Sequence, residues 1–370
     1  MSDKTFPRSE LLDRLRLIRT DSVGPVAFDH LLGLYGSAGA ALDAMPGLAR
    51  KGGARTLRIP TRADAERELA AIERAGARLL ARGMADYPRL LAATEGAPPL
   101  ITVKGHPLLA ARPTVALVGA RNASAAGQRL AREIAGDLGR VGFTVVSGLA
   151  RGIDGVAHQA ALSTGTIAVV AGGIDIVYPP EHEALQARIA AEGLLVAEMP
   201  VGTQPQARHF PRRNRLISGL SLGVVVVEAA LKSGSLITAR FALEQGREVM
   251  AAPGSPLDPR ARGGNDLIRQ GARLIESGAE VAEILRPMAE GPLAEPESRD
   301  YRPPALTLPD EGEIAANRAL VFELLSPVPV AVDELLRQAE LTPPVVFTIL
   351  LELELAGRLQ RHAGGRVSLI

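Results

Sequence analysis

Between residues 110 and 287 six apolar, largely β-branched runs recur: TVALVG, FTVVSG, TIAVVAGG, LLVAE, LGVVVVE and EVMAAPG. Each is followed by residues at helical spacing, as in ASAAGQRLAREIAGDLGRVG or SLITARFALEQG. A strand that is apolar along its whole length must be buried on both faces, and strands alternating with helices run parallel. The pattern predicts an α/β domain over 110–287, a doubly wound parallel sheet covered by helices on both sides.

The flanks have a different texture. SELLDRLRLIR and VGPVAFDHLLGLYG carry apolar residues at helical spacing, and TRADAERELAAIERAGARLLARG follows with Thr61 as a candidate N-cap. Residues 1–109 therefore read as a helical domain with a connector. The turn VGPVAF resembles a helix-hairpin-helix turn, but it has the single Gly24 where that motif has two glycines. A small helical packing domain is the preferred reading. Residues 288–312, rich in Pro and acid and without periodicity, read as a linker. From 313 to 370, three helical segments precede RLQRHAGGRVSLI, a hairpin expected to turn at Gly364 and Gly365. Three helices and a wing describe a winged helix.

In an open parallel sheet, ligands bind where loops converge beyond the carboxyl ends of the strands. Those loops are GARNASAAG, SGLARGIDG, AGGIDIVYPPEH, ARHFPRRNRLISGL, EAALKSGSLITA and the PG at 253–254. Glycine lets backbone amides approach an anion closely, and the helix N-termini behind these loops favour negative charge. Arg121, Arg151, Arg213, Arg215 and Lys232 fall on the same loops, with Arg240 a further candidate. The whole chain carries a formal charge of only +1, so any anion site is local. Several cations in succession suit a ligand with several phosphates, which is a nucleic acid strand. Phe210, one of only seven Phe, stands where it can stack a base.

Other chemistries lack their signatures. With no Cys there are no disulfides, thiolate nucleophiles or cysteine metal sites. The six histidines show no metal-ligand spacing, no GxxxxGK[ST] or GxSxG is present, and VALVGARNASAAG is not a dinucleotide fingerprint. No cofactor, metal or catalytic residue is expected. The amino terminus carries no leader-like apolar core, and a cytoplasmic protein without membrane insertion is the expectation. Asp154, Asn214 and Glu228 also admit purely structural roles, Glu228 as an anchor for Arg213 or Arg215.

The run from YPRLLAATEGAPPLITVKG through VALVGARNASAAG, VVSGLARGIDGVAHQAAL, YPPEHEAL, FPRRNRLISGLSLGVVVVEAALKSGSLITARFALEQGREVMAAPG and NDLIRQGARLI resembles the DNA-processing protein DprA (Smf) family, over residues 85–285. The resemblance implies a Rossmann-like sheet flanked by a small helical (SAM-like) domain and a winged helix. It also implies single-stranded DNA binding, loading of RecA recombinase in natural transformation or recombination, a homodimer formed through the Rossmann-like domain, and no catalysis. Carried over by motif, the strand-binding positions are Gly119, Arg121, Ser147, Gly148, Arg151, Phe210, Arg213, Asn214 and Arg215, with Lys232 and Ser233 as a further phosphate contact. AGGID departs from the family's more usual Gly-x-Gly, which leaves Gly172 and Gly173 outside the carried-over set. The helix PPVVFTILLELELAG holds Glu352 and Glu354 and no cation before Arg358, a poor match to a phosphate-lined groove. A protein partner for the winged helix is the expectation. The enzyme alternative is a nucleoside monophosphate phosphoribohydrolase of the lysine-decarboxylase-like type, although the double glycine of its PGGxGTxxE loop is missing here. A nicotinamide-dependent reductase is a third reading.

Overall fold

The computed structural model describes residues 6–54, 56–290, 309–362 and 364–370. In chain order, α1 (Arg8–Arg19), α2 (Pro25–Tyr35), α3 (Ala38–Lys51) and α4 (Arg62–Arg74) lead to β1 (Arg78–Ala81), α5 (Arg89–Ala92) and β2 (Leu100–Gly105). The alternating part contains β3 (Thr114–Gly119), α6 (Ala125–Arg140), β4 (Thr144–Ser147), α7 (Ile153–Ala161), β5 (Thr166–Val169), α8 (Glu183–Glu192) and β6 (Leu194–Ala197). It continues through α9 (His209–Gly219), β7 (Gly223–Val227), α10 (Gly234–Glu244), β8 (Glu248–Ala251), α11 (Arg262–Arg269), β9 (Arg273–Leu274) and α12 (Gly278–Glu290). Last come α13 (Glu311–Glu323), β10 (Val330–Ala331), α14 (Val332–Ala339), α15 (Pro343–Leu355), β11 (Leu359–His362) and β12 (Arg366–Leu369). The described residues fall into two compact units, 68–290 and 6–67 together with 309–370.

In the first unit nine strands form one sheet in the order β1-β2-β6-β5-β4-β3-β7-β8-β9. The seven from β6 to β9 are parallel; β3 to β8 are the six apolar runs, and β9, with both residues exposed, is an addition the runs do not predict. Alternation of side chains places Ala116, Val118, Val224 and Val226 in the core on one face. Val115, Leu117, Val225 and Val227 lie in the core on the other. Each Val or Leu among them withdrawn from water contributes about 1.5–3 kcal/mol before entropy is counted. Gly119 sits where β3 meets β7, and a Cβ there would lie 1.9 Å from the Val227 carbonyl oxygen. Close approach at this seam therefore demands glycine.

The sheet reaches further toward the amino terminus than the boundary at residue 110. RLLA and LITVKG form β1 and β2, and β2 adds antiparallel to β6. The spacing of ERAGARLLARG fits a helix as well as a strand, which is why the sequence reads α4 as longer than it is. Thr61 does cap α4: its hydroxyl accepts from the Asp64 amide at 3.1 Å, and the Asp64 carboxylate accepts from the Thr61 amide at 2.8 Å. Of the segment expected to be a linker, residues 291–308 lie outside the described residues, while α12 runs to Glu290 and α13 starts at Glu311.

The second unit joins the two ends of the chain. α13, α14 and α15 with the three-stranded sheet β10-β12-β11 make the winged helix, and its wing turns at Gly364 and Gly365 with φ of 74° and 64°. Leu351 and Leu355 of α15 are buried in the core of α1, α2 and α3, beside Phe28, Leu31 and Met45.

Candidate nucleic-acid interface

The strand order reverses between β3 and its neighbours β4 and β7, and the loops at their carboxyl ends open onto two adjoining cavities. One, of about 350 Å³, lies between the loops after β3, β4 and β5 and the start of α9. The other, of about 750 Å³, extends past the N-terminus of α10 to Arg260. Arg121, Asn122, Ala150, Phe210 and Arg213 border both.

Beneath the cavities the backbone is tied down by buried polar groups. Arg213, only 6% exposed, donates from Nη1 to the carbonyls of Gly148 and Val169, the latter at 2.6 Å, and from Nε to Asn214 Oδ1 at 3.2 Å. Asn214 passes the link on, donating to the Gly234 carbonyl at 3.1 Å. Asp154 Oδ2 accepts from the amides of Gly148 and Ala150 at 3.1 and 3.3 Å, and His182 Nδ1 meets the Leu149 carbonyl at 3.0 Å. These contacts hold Leu149 at a φ of 56°, which a branched residue adopts only under constraint. Burial pulls Arg213 down to about 10, a shift that the charge of Asp154 resists. It pushes Asp154 up, with the charge of Arg213 and the two amides acting the other way. Asp154, Asn214 and Arg213 thus hold the loops together from below, Arg213 as the bolt between two of them, and all three also border the larger cavity.

Arg121, Arg151 and Lys232 are exposed cations on these loops. Arg151 pairs with Glu181 across the rim of the smaller cavity. Phe210 is half-buried between cations and an aromatic: the Arg121 and Arg213 guanidinium carbons lie 5.3 and 5.8 Å from its centroid, and Tyr178 packs at 5.6 Å. Ser233 caps α10, bonding the Ser235 hydroxyl at 2.6 Å, and borders the larger cavity with Lys232 and Gly119. Gly148 lines the smaller one.

Two residues of the expected set, and Arg240 beside them, are placed elsewhere. Ser147 is fully buried, its hydroxyl donating to the Leu117 carbonyl at 2.7 Å inside the sheet. Arg215 lies on another face of α9 from Arg213, paired with the buried carboxylate of Glu198 and donating to the Gly96 carbonyl at 3.0 Å. Arg212 shares Glu198 at 3.2 Å, and Arg240 pairs along its own helix with Glu244. The helical periodicity of FPRRNR separates these groups: residues 213 and 215 are 200° apart on a helix. Asn122 and Arg260, which the sequence reading does not single out, do border the cavities. Arg260 follows the PG turn after β8 and is clamped by Asp258 at 2.8 Å; its signal is a cation on a ligand-side loop.

Glu228 anchors neither Arg213 nor Arg215. Its carboxylate accepts from the amide of Ser124 at 2.9 Å and from the Ser124 hydroxyl, at the N-terminus of α6. A Cβ on Gly127 would lie 2.5 Å from its Cδ. In dinucleotide-binding sheets of this kind the pyrophosphate sits on the helix after the first strand. Here the protein's own carboxylate occupies that position, which weighs against a nicotinamide cofactor.

One turn beyond Asp154 on α7, His158 is wholly buried. Thr166 donates to the Val145 carbonyl at 3.0 Å, so the 2.7 Å contact between Thr166 Oγ1 and His158 Nδ1 has the ring N–H as donor. Nε2 then carries no proton and has no partner among the described residues. Burial, helped by the charges of His182 and Arg213, lowers His158 to about 3.

Residues 78–286 match the family described as DNA recombination-mediator protein A, residues 8–71 a DprA-like N-terminal HHH domain, and residues 302–365 a DprA winged helix domain. The amino-terminal match corrects the preference for a plain packing domain: Gly24 caps α2 with Pro25 at its first position, so one glycine suffices to start the second helix. Protein Smf of Escherichia coli K12 is 42% identical over 330 residues, covering 87% of this chain and 85% of that protein. DNA processing protein DprA of Bacillus subtilis is 44% identical over 222 residues, covering 59% and 75%. The X-ray structure of DprA from Streptococcus pneumoniae superposes with a TM-score of 0.62 at 33% identity, over 76% of this chain and 98% of that one. That of DNA processing protein A from Helicobacter pylori, described by its single-stranded DNA binding mode, gives 0.53 at 28%, over 58% and 97%.

Replacing Arg213 by Ala leaves Asp154 buried without its compensating charge and is expected to cost about 3 kcal/mol or more of stability, read by urea denaturation. Arg121→Ala, on an exposed cation, is expected to change stability by less than about 0.5 kcal/mol. His158 binds its proton in the unfolded chain near 6.5 but in the fold only near 3. Its neutral form is fully favourable above 6.5, and stability is lost as pH falls from there toward 3, by about 2 kcal/mol at pH 5. Denaturation at pH 7 and pH 5 should show a smaller difference for His158→Gln than for the wild type.

Proposed function

The chain belongs to the DNA-processing protein DprA (Smf) family, and on that footing we propose that it binds single-stranded DNA across the two adjoining cavities, protects the strand and helps to load RecA recombinase on it. The carrying observation is Phe210 at their common border, an aromatic ring with the exposed Arg121 over it and Lys232 and Arg260 further along. Phosphates in succession meet cations and helix N-termini, while a base can reach the ring only when it is unpaired. We read the role as binding; Ser147, the hydroxyl at the end of β4, is locked inside the sheet and does not reach a ligand as a nucleophile. A cytoplasmic location agrees with the function, and no described helix is long and apolar enough to cross a membrane.

A homodimer through the Rossmann-like domain is part of the proposal. β9 ends the sheet with both residues exposed, and Leu231 and Leu274 border a groove of about 430 Å³ beside it at 57% and 49% exposure. An uncovered sheet edge with exposed apolar side chains favours pairing with another copy. Sedimentation is expected to show a dimer for the wild type and a monomer for Leu274→Asp; a wild-type monomer at every concentration would remove this part.

Binding to short single-stranded and duplex DNA across a salt series tests the rest. Single strands are expected to bind more tightly, and Arg121→Ala and Lys232→Ala each to flatten the log–log salt slope by about 0.7. Arg215→Ala, whose guanidinium is engaged with Glu198, is expected to keep the wild-type slope. If the Arg121 and Lys232 variants bind like wild type, the interface is elsewhere.

A further inference from the structure

In winged helices that read DNA, the last helix before the wing lies in the major groove with its outward face on the bases. In α15 no such face remains. Every residue from Val345 to Leu355 is buried except Phe347, which is half-buried and meets His30 of α2 edge-on with ring centroids 6.0 Å apart. The inner side of the helix packs in the winged-helix core, with Val346, Ile349 and Leu353. Its other side, with Leu351 and Leu355, packs in the core of the amino-terminal helices.

The seam between the two modules has the closeness of a domain interior. A Cβ on Gly52 would lie 1.9 Å from the Glu352 carbonyl oxygen and 3.1 Å from the Ala356 Cβ. Arg358 Nη1 donates to the Gly52 carbonyl at 3.3 Å, and Lys51 pairs with Glu311 at 2.7 Å. The two acids that make α15 unsuited to DNA are satisfied within the winged helix. Arg318 donates to both oxygens of Glu352 at 2.7 and 3.0 Å, and Arg361 to Glu354 at 2.8 Å.

We propose that the winged helix of this protein is a clasp for the chain's own amino-terminal helical domain, with α15 as the shared core helix and therefore not available to a DNA groove. The partner of the recognition helix is thus intramolecular, supplied by residues some 300 positions earlier in the chain. Disturbing either side of the seam must loosen both modules, because one helix serves two cores.

Amide hydrogen exchange on the full-length chain tests this from both sides, with Gly52→Val on the amino-terminal face and Leu355→Asp on the winged-helix face. Each is expected to speed exchange in α2, α3 and α15 together by about tenfold or more. Strands β3, β4 and β7 should keep wild-type exchange, and single-strand affinity should stay within about twofold. Adding duplex DNA to the wild type should give α15 no new protection. The proposal fails if Leu355→Asp loosens α15 while α2 and α3 stay protected, or if duplex DNA protects α15 in the wild type. It fails equally if protection of α15 is lost on dilution, which would place the seam between copies.

Discussion

Everything on the ligand side of the sheet hangs on one buried guanidinium. Arg213 ties the loop after β4 to the end of β5 and, through Asn214, to the start of α10. A cation so deeply desolvated is tolerated only because carbonyl oxygens and the nearby Asp154 surround it. The geometry matters more than the charge. Two carbonyls and a side-chain amide at fixed angles need a planar fork, which lysine does not provide. With the loops fixed from below, the exposed cations above can meet an anionic ligand without the backbone having to reorganise for each contact.

The protein also controls where an anion does not go. Glu228 holds a positive φ of 54° and places its carboxylate on the N-terminus of α6, the position that this fold class most often gives to a nucleotide phosphate. On the proposed reading, anions are instead accepted by the loops around Phe210 and the N-terminus of α10, which border the larger cavity. An open track with several cations suits a polymer, and a closed cradle suits a mononucleotide. Local charge achieves this in a chain that is nearly neutral overall.

How much of this was legible in the sequence varies by physical cause. The parallel strands were, because a strand buried on both faces must be apolar throughout. β1 and β2 were not, since RLLA and LITVKG are too short to separate strand from helix by periodicity. The loops that open onto the cavities were legible from glycine and charge at strand ends, and Arg121, Gly148, Phe210 and Lys232 border those cavities. What each arginine does was not. FPRRNR presents three guanidinium groups within four residues, and only helical phase distinguishes Arg213, buried under the loops, from Arg212 and Arg215 on Glu198. Glu198, which sets that division, stands twelve positions before the motif and carries no signal of its own.

The acids of α15 show the same limit at the level of domains. Read along the sequence, Glu352 and Glu354 in an apolar helix suggest a surface seeking a protein partner. In the fold their charges are met by Arg318 and Arg361 of the winged helix itself, and the apolar positions before and after them, Leu351 and Leu355, complete the core of the amino-terminal helices. Buried ion pairs add little net stability compared with apolar replacements, but they penalise any arrangement that leaves a charge unpaired. Their place here, flanked by Leu351 and Leu355 of the amino-terminal core with Leu353 of the winged-helix core between them, fits a role in fixing the rotation of α15, so that Leu351 and Leu355 face one core while Leu350 and Leu353 face the other.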